Sequence, residues 1–257
     1  MKNSHGVSGV MAALTLTGVL WSCAPRTTTT PSANDQMSST PGQTSTPTPQ
    51  PGPPTTYDVD ALGVPSIIAA DYIELDKIDR VSLFRSGVGH DYSDGVETCR
   101  TMKHYFMPKA NVDWAAVVIS SPLPGTIARM ENETTFGTQI QIASAVLPAA
   151  TVILFHVVPD AAVVVGATVA AGQRLGHHVG SQTMSDVAIR VMSPSGMRLV
   201  SYAEAMDDQT FARYAARGVP SRAALTISRP ARDAASLTCQ GEAFTNSGSL
   251  EHWAMLE

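Results

Sequence analysis

The stretch Gly166-x-x-Val169-x-x-Gly172-Gln173-x-Leu175-Gly176 constrains this chain more than any other. Glycine and aliphatic residues recur in it at short intervals, a spacing that suits short strands joined by tight turns in a small barrel. Its surroundings agree. Gly137–Ile142 alternates polar and apolar residues, and Thr151–Val158 is a β-branched run with His156 near its end. Asp186–Met192 alternates again, placing Val187, Ile189 and Val191 on one face and Asp186, Ala188 and Arg190 on the other. Earlier in the chain, Arg80–Phe84 reads as a strand, Ser66–Leu75 as one or two, and Ala115–Ile119 as a β-branched run. That run ends at the turn Ser121-Pro122-Leu123-Pro124-Gly125, where a further strand begins. Glu97–Val112 reads as less regular. One helix is predicted, with Asp207 as N-cap, a body through Phe211 and Tyr214, and Gly218 as its stop. Strands around Ala224–Ile227 would close the domain. The class is therefore all-β, a small antiparallel β-barrel or sandwich with one short C-terminal helix.

The first 56 residues read differently. Lys2 precedes an apolar run from Val10 to Leu20, too short to span a bilayer comfortably but of signal-peptide length. The run ends Leu20-Trp21-Ser22-Cys23, which resembles the bacterial lipobox, so residues 1–22 are predicted as a lipoprotein signal and Cys23 as the lipidated residue. A diacylated cysteine would supply two buried chains, enough for stable anchoring to a membrane. Residues 23–56 read as a disordered tether: eight of the chain's 17 prolines lie among Thr, Ser and Gln there, with Arg26 and Asp35 the only charges. That leaves residues 57–257 as one domain, long enough for a substantial core. The net charge of −5, with no Lys/Arg cluster, argues against a nucleic-acid partner. With Cys23 lipidated, Cys99 and Cys239 remain as an even pair in an oxidising compartment, and a disulfide between them is predicted.

One polar stretch stands out for chemistry. In Ser86-Gly87-Val88-Gly89-His90-Asp91-Tyr92-Ser93-Asp94-Gly95, a histidine and an aspartate lie four residues apart between glycines that permit a tight backbone path. Imidazole nitrogen and carboxylate oxygen together suit a borderline ion such as zinc. A polar surface turn, with Asp94 capping the local backbone, uses the same residues without a metal.

The order of these features resembles the lysostaphin-like zinc metallopeptidases, over roughly residues 84–192: a Gly-flanked H-x-x-x-D, a Pro/Gly turn, Phe136-Gly137-x-x-Ile140-x-Ile142, a strand ending in His156, the Gly/Val repeat and a final alternating strand. The resemblance implies a small antiparallel fold of the duplicated-hybrid-motif type that cuts peptide cross-links of bacterial cell walls. It implies zinc ligands at His90 and Asp94 and a catalytic role for His156. The family's last strand carries H-x-H, catalytic histidine first and third ligand second; here Asp186 takes the first position and Ala188 the second. A methyl group cannot donate to zinc. His178, in the turn before that strand, is one substitute ligand; His104, His177 and Asp186 are others.

Three functions follow. The first is a lipid-anchored envelope protein with a catalytically impaired peptidase-like domain, binding peptidoglycan or regulating a cell-wall hydrolase. The second is an active zinc endopeptidase with rearranged ligands. The third is a structural hybrid-barrel adaptor of the envelope; a biotinyl or lipoyl carrier is disfavoured, because no lysine lies near the Gly172–Gly176 turn.

Overall fold

The computed structural model describes residues 56–257. The predicted signal segment, the predicted lipidation site Cys23 and the predicted tether up to Thr55 lie outside the described residues. Among the described residues, the Tyr57 N–H donates to the Met192 carbonyl at 2.9 Å.

The strands are β1 (Ile78–Ser82), β2 (His104–Pro108), β3 (Val118–Ser120), β4 (Gly125–Asn132), β5 (Thr138–Ser144), β6 (Ala150–Pro159), β7 (Thr168–Val169), β8 (Arg174–His178), β9 (Ser185–Ser193), β10 (Gly196–Val200), β11 (Cys239–Gln240), β12 (Ala243–Phe244) and β13 (Trp253–Met255). All but β11 and β12 belong to one sheet, paired antiparallel in the order β13-β1-β2-β9-β6-β5-β4-β7, with β10 on β9 and β8 joining β6 to β3. β6 and β9 are its centre and are buried on both faces, in keeping with their β-branched and aliphatic sequences. The fold is all-β, as the sequence predicts.

The predicted helix is present as α2 (Asp208–Ala215), between α1 (Val59–Leu62) and α3 (Arg229–Ala234). The Asp207 carboxylate accepts from the Thr210 N–H at 2.7 Å. Gly218 sits at φ +84°, the left-handed exit that glycine tolerates. Three other expectations need correction. Ser66–Leu75 forms no strand, only single bridges from Ile68 to Met206 and from Ile73 to Ile119. Ala224–Ile227 falls in a Ser221-capped 3₁₀ turn, Arg222–Leu225, followed by one bridge from Thr226 to Phe84. Glu97–Val112 is more regular than its sequence suggests, for it contains β2, which pairs with β1 and with the central β9.

β2 hides from a pattern reading because its polar residues are buried and partnered. His104 faces the core: its Nδ1–H donates to the Ser82 carbonyl at 2.8 Å and its Nε2 accepts from the Ser201 hydroxyl at 3.0 Å. Burial pushes its pKa down to about 4. The unfolded chain protonates this ring near 6.5, so its contribution is complete above that pH and disappears as the pH falls towards 4, an effect of about 3 kcal/mol. Urea midpoints across pH 7 to 4 should therefore fall less in a His104→Gln variant than in the parent. Equal slopes would show that another group governs acid sensitivity.

One face of the β2-β9-β6 centre carries the main core, through Phe106, Val187, Ile189 and Leu154. The opposite face carries a small separate cluster of Ile153, Phe155 and Ala188 packed against Tyr92. That second face holds the polar residues of interest.

Candidate functional site

β6 changes partner along its length, and His156 lies at the change. Up to Leu154 it pairs with β9, and from Val157 onward with β8. Against β5 its register shifts between Ile140↔Leu154 and Thr138↔Val157, so β6 holds one extra residue there. His156 takes up the kink with φ +62°, a conformation that a non-glycine residue adopts rarely and that concentrates at working sites.

The kink turns the imidazole towards β9. His156 Nε2 lies 3.1 Å from Asp186 Oδ1. Its Nδ1 lies 2.9 Å from the Phe136 carbonyl and 3.4 Å from Glu133 Oε2. A carbonyl and a carboxylate can only accept, so these neighbours favour the ring with hydrogen on both nitrogens. Burial opposes the charge, but Asp186, the Phe136 carbonyl and Glu133 outweigh it and raise the His156 pKa.

Asp186 is fully buried. Directly across from it on β2 is Tyr105, and one residue before that strand is Lys103, whose Nζ lies 2.5 Å from Asp186 Oδ2. Only 3% of Lys103 is exposed. Its ammonium is boxed by the rings of Phe155, Tyr92 and Tyr105, at 4.2, 4.8 and 5.0 Å. Burial works to raise the Asp186 pKa, yet Lys103 first and His156 next hold it below the ordinary carboxylate value. Lys103 is the residue that sequence reasoning missed. The available signal was a lysine set among apolar and aromatic residues, because lysine is almost never buried without a partner.

The structure brings His156 and Asp186 together, with His178 beside them, their imidazole centroids 6.4 Å apart for the two histidines. His178 Nδ1 accepts from the Gly180 N–H, its ring packs 4.4 Å from that of Trp114, and burial pushes its pKa down to about 4. His90 and Asp94 are not part of this group. Asp94 Oδ1 accepts from the Val96 and Glu97 amides and Oδ2 from the Leu199 amide, all within 3.1 Å. His90 Nδ1 donates to the Asp91 carbonyl at 2.9 Å.

These residues do not fit a zinc ion. Among the described residues no three His, Cys, Asp or Glu side chains converge so as to hold a metal. An ammonium already faces Asp186, Ala188 offers no donor, and both oxygens of Asp94 are committed to amides. His104 and His177 offer no rescue, since His104 is bonded at both nitrogens in the core and His177 Nδ1 is bonded to the His178 carbonyl.

The predicted disulfide is present between Cys99 and Cys239, Cα atoms 5.7 Å apart. Around it run the ion pairs Arg85–Glu97, Arg100–Glu97 and Arg100–Asp233, each within 2.8 Å.

No protein-family model matches the chain. No curated protein matches it either. Among solved structures, one neighbour is a protein of Ruminococcus gnavus assigned as the glycyl-glycine endopeptidase LytM, 16% identical, with a TM-score of 0.31 over 38% of this chain and 42% of that one. The chain thus spans under half the length of that protein. Another is a chain of the SpoIIQ–SpoIIIAH pore-forming complex, 13% identical, with a TM-score of 0.39 over 55% of this chain and 92% of that one. What the coordinates themselves establish is an all-β antiparallel domain with one disulfide and a buried Lys103–Asp186–His156 charge cluster.

Proposed function

We propose that this chain is an exported envelope protein, anchored by a lipid on Cys23, whose peptidase-like domain binds peptidoglycan or a cell-wall hydrolase without cutting. The observation that carries this reading is the Lys103–Asp186 ion pair. It stands on the strand that resembles the family's H-x-H strand, and it puts a fixed ammonium where a catalytic zinc would need open coordination and water. The Cys99–Cys239 bridge supports export, because such bridges persist in oxidising compartments.

The test is incubation of the purified protein with murein sacculi and zinc salt, followed by sedimentation, metal analysis and chromatography of the supernatant. The expected outcome is co-sedimentation, metal far below one ion per chain and no released peptide fragments. Fragment release that disappears in His156→Ala would overturn the reading in favour of an active peptidase.

A further inference from the structure

The Ser86–Gly95 loop, in which the sequence suggests two metal ligands, lies over Lys103 and Tyr105 at one end of the charge cluster. Gly89 rests directly on the Tyr105 side chain, so that a methyl group at that position would overlap the hydroxyl oxygen. Tyr92 lays its ring over Lys103 and meets Phe155 edge-on at 5.9 Å. The Tyr105 hydroxyl, which the Gly89 backbone covers, is buried under the loop.

The loop is also held from outside. The Asp91 N–H donates to the Glu242 carbonyl at 2.7 Å, in the turn between β11 and β12. Gly87 packs against Leu237 and His252. Cys239 begins that hairpin, and its bond to Cys99 fixes the hairpin against the return arm of the loop. Both cysteines are partly exposed and open to a reagent.

We propose that the Cys99–Cys239 bridge is a redox latch: closed, it keeps the Ser86–Gly95 loop seated over Lys103, and its reduction frees the loop and opens Lys103 to solvent. A dithiol reductant of the thioredoxin class supplies the electrons. Its thiolate attacks one sulfur, the Cys99–Cys239 bond breaks, two protons and two electrons end on the two cysteine thiols, and the reductant leaves as its own disulfide. The latch rests on the exported location proposed above, but its geometry does not require wall binding. The two therefore fail separately.

The experiment labels lysines of the full-length protein with an acylating reagent, before and after treatment with a small dithiol, and reads each site by mass spectrometry beside backbone hydrogen exchange. Lys103 should be protected when oxidised and react at least about 10-fold faster when reduced, with Gly87–Asp94 amides exchanging faster and exposed Lys109 unchanged. Protection of Lys103 in protein whose two thiols are confirmed free overturns the proposal. Loss of protection across β6 and β9 at the same time also overturns it, since the bridge would then staple the whole fold. Gly89→Ala gives an independent check: with the disulfide intact, the added methyl should displace the loop and expose Lys103. A folded Gly89→Ala protein with Lys103 still protected would show that the loop is not the seal.

Discussion

Lys103→Met is expected to destabilise the protein by about 3–5 kcal/mol, the range found when one partner of a buried ion pair is removed. Methionine is close to lysine in length and suits the aromatic box of Tyr92, Tyr105 and Phe155, so the loss does not arise from volume. It arises from Asp186, a fully buried carboxylate left with His156 alone to offset its charge. The double variant Lys103→Met with Asp186→Asn should recover most of the loss, because it removes the stranded charge as well as its partner. Urea unfolding with unchanged m-values measures both. A single variant as stable as the parent would mean that no ion pair forms in solution, and would remove the main support for a binding rather than cutting role.

Removing the disulfide is expected to have an effect of similar size through a different route. Cys99 and Cys239 are separated by 140 residues in sequence. In the chain-entropy account, opening a loop of that length stabilises the unfolded state by about 4–5 kcal/mol. For a domain of this size that corresponds to a melting temperature lower by about 10–15 °C. Calorimetry of the Cys99→Ser, Cys239→Ser protein reads this directly, and an unchanged transition would show that the cross-link does no thermodynamic work. The remaining stability should still keep the domain folded at 25 °C, as local opening of the loop requires.

Much of the scaffold was legible because local rules and burial coincide. Asp207 and Gly218 bound α2 through capping chemistry alone, and the even pair of cysteines foretold its bond. β6 and β9 declared themselves by β-branching, and His156 and Asp186 were singled out on those strands before their 3.1 Å contact was known. The H-x-x-x-D stretch shows where such reading stops. A carboxylate in a glycine-rich turn serves equally to bind a metal or to accept backbone amides, and Asp94 accepts three. β2 was obscured for the opposite reason. Its histidine and the lysine just before it look like surface residues until tertiary partners appear, namely Asp186 for Lys103 and Ser82 with Ser201 for His104. No spacing rule supplies partners more than 20 residues away.

The pairing of β13 with β1 sets an order of events during synthesis. The strand that completes this edge of the sheet, Trp253–Met255, is made long after its partner β1. At a translation rate of roughly 5–20 residues per second, Cys99 is made roughly 7–28 s before Cys239. Throughout that interval the nascent chain carries a free thiol and an open strand edge. Cys239 and Trp253–Met255 thus decide when this domain stops being a target for wrong partners, and a chain that lacks them carries both hazards exposed.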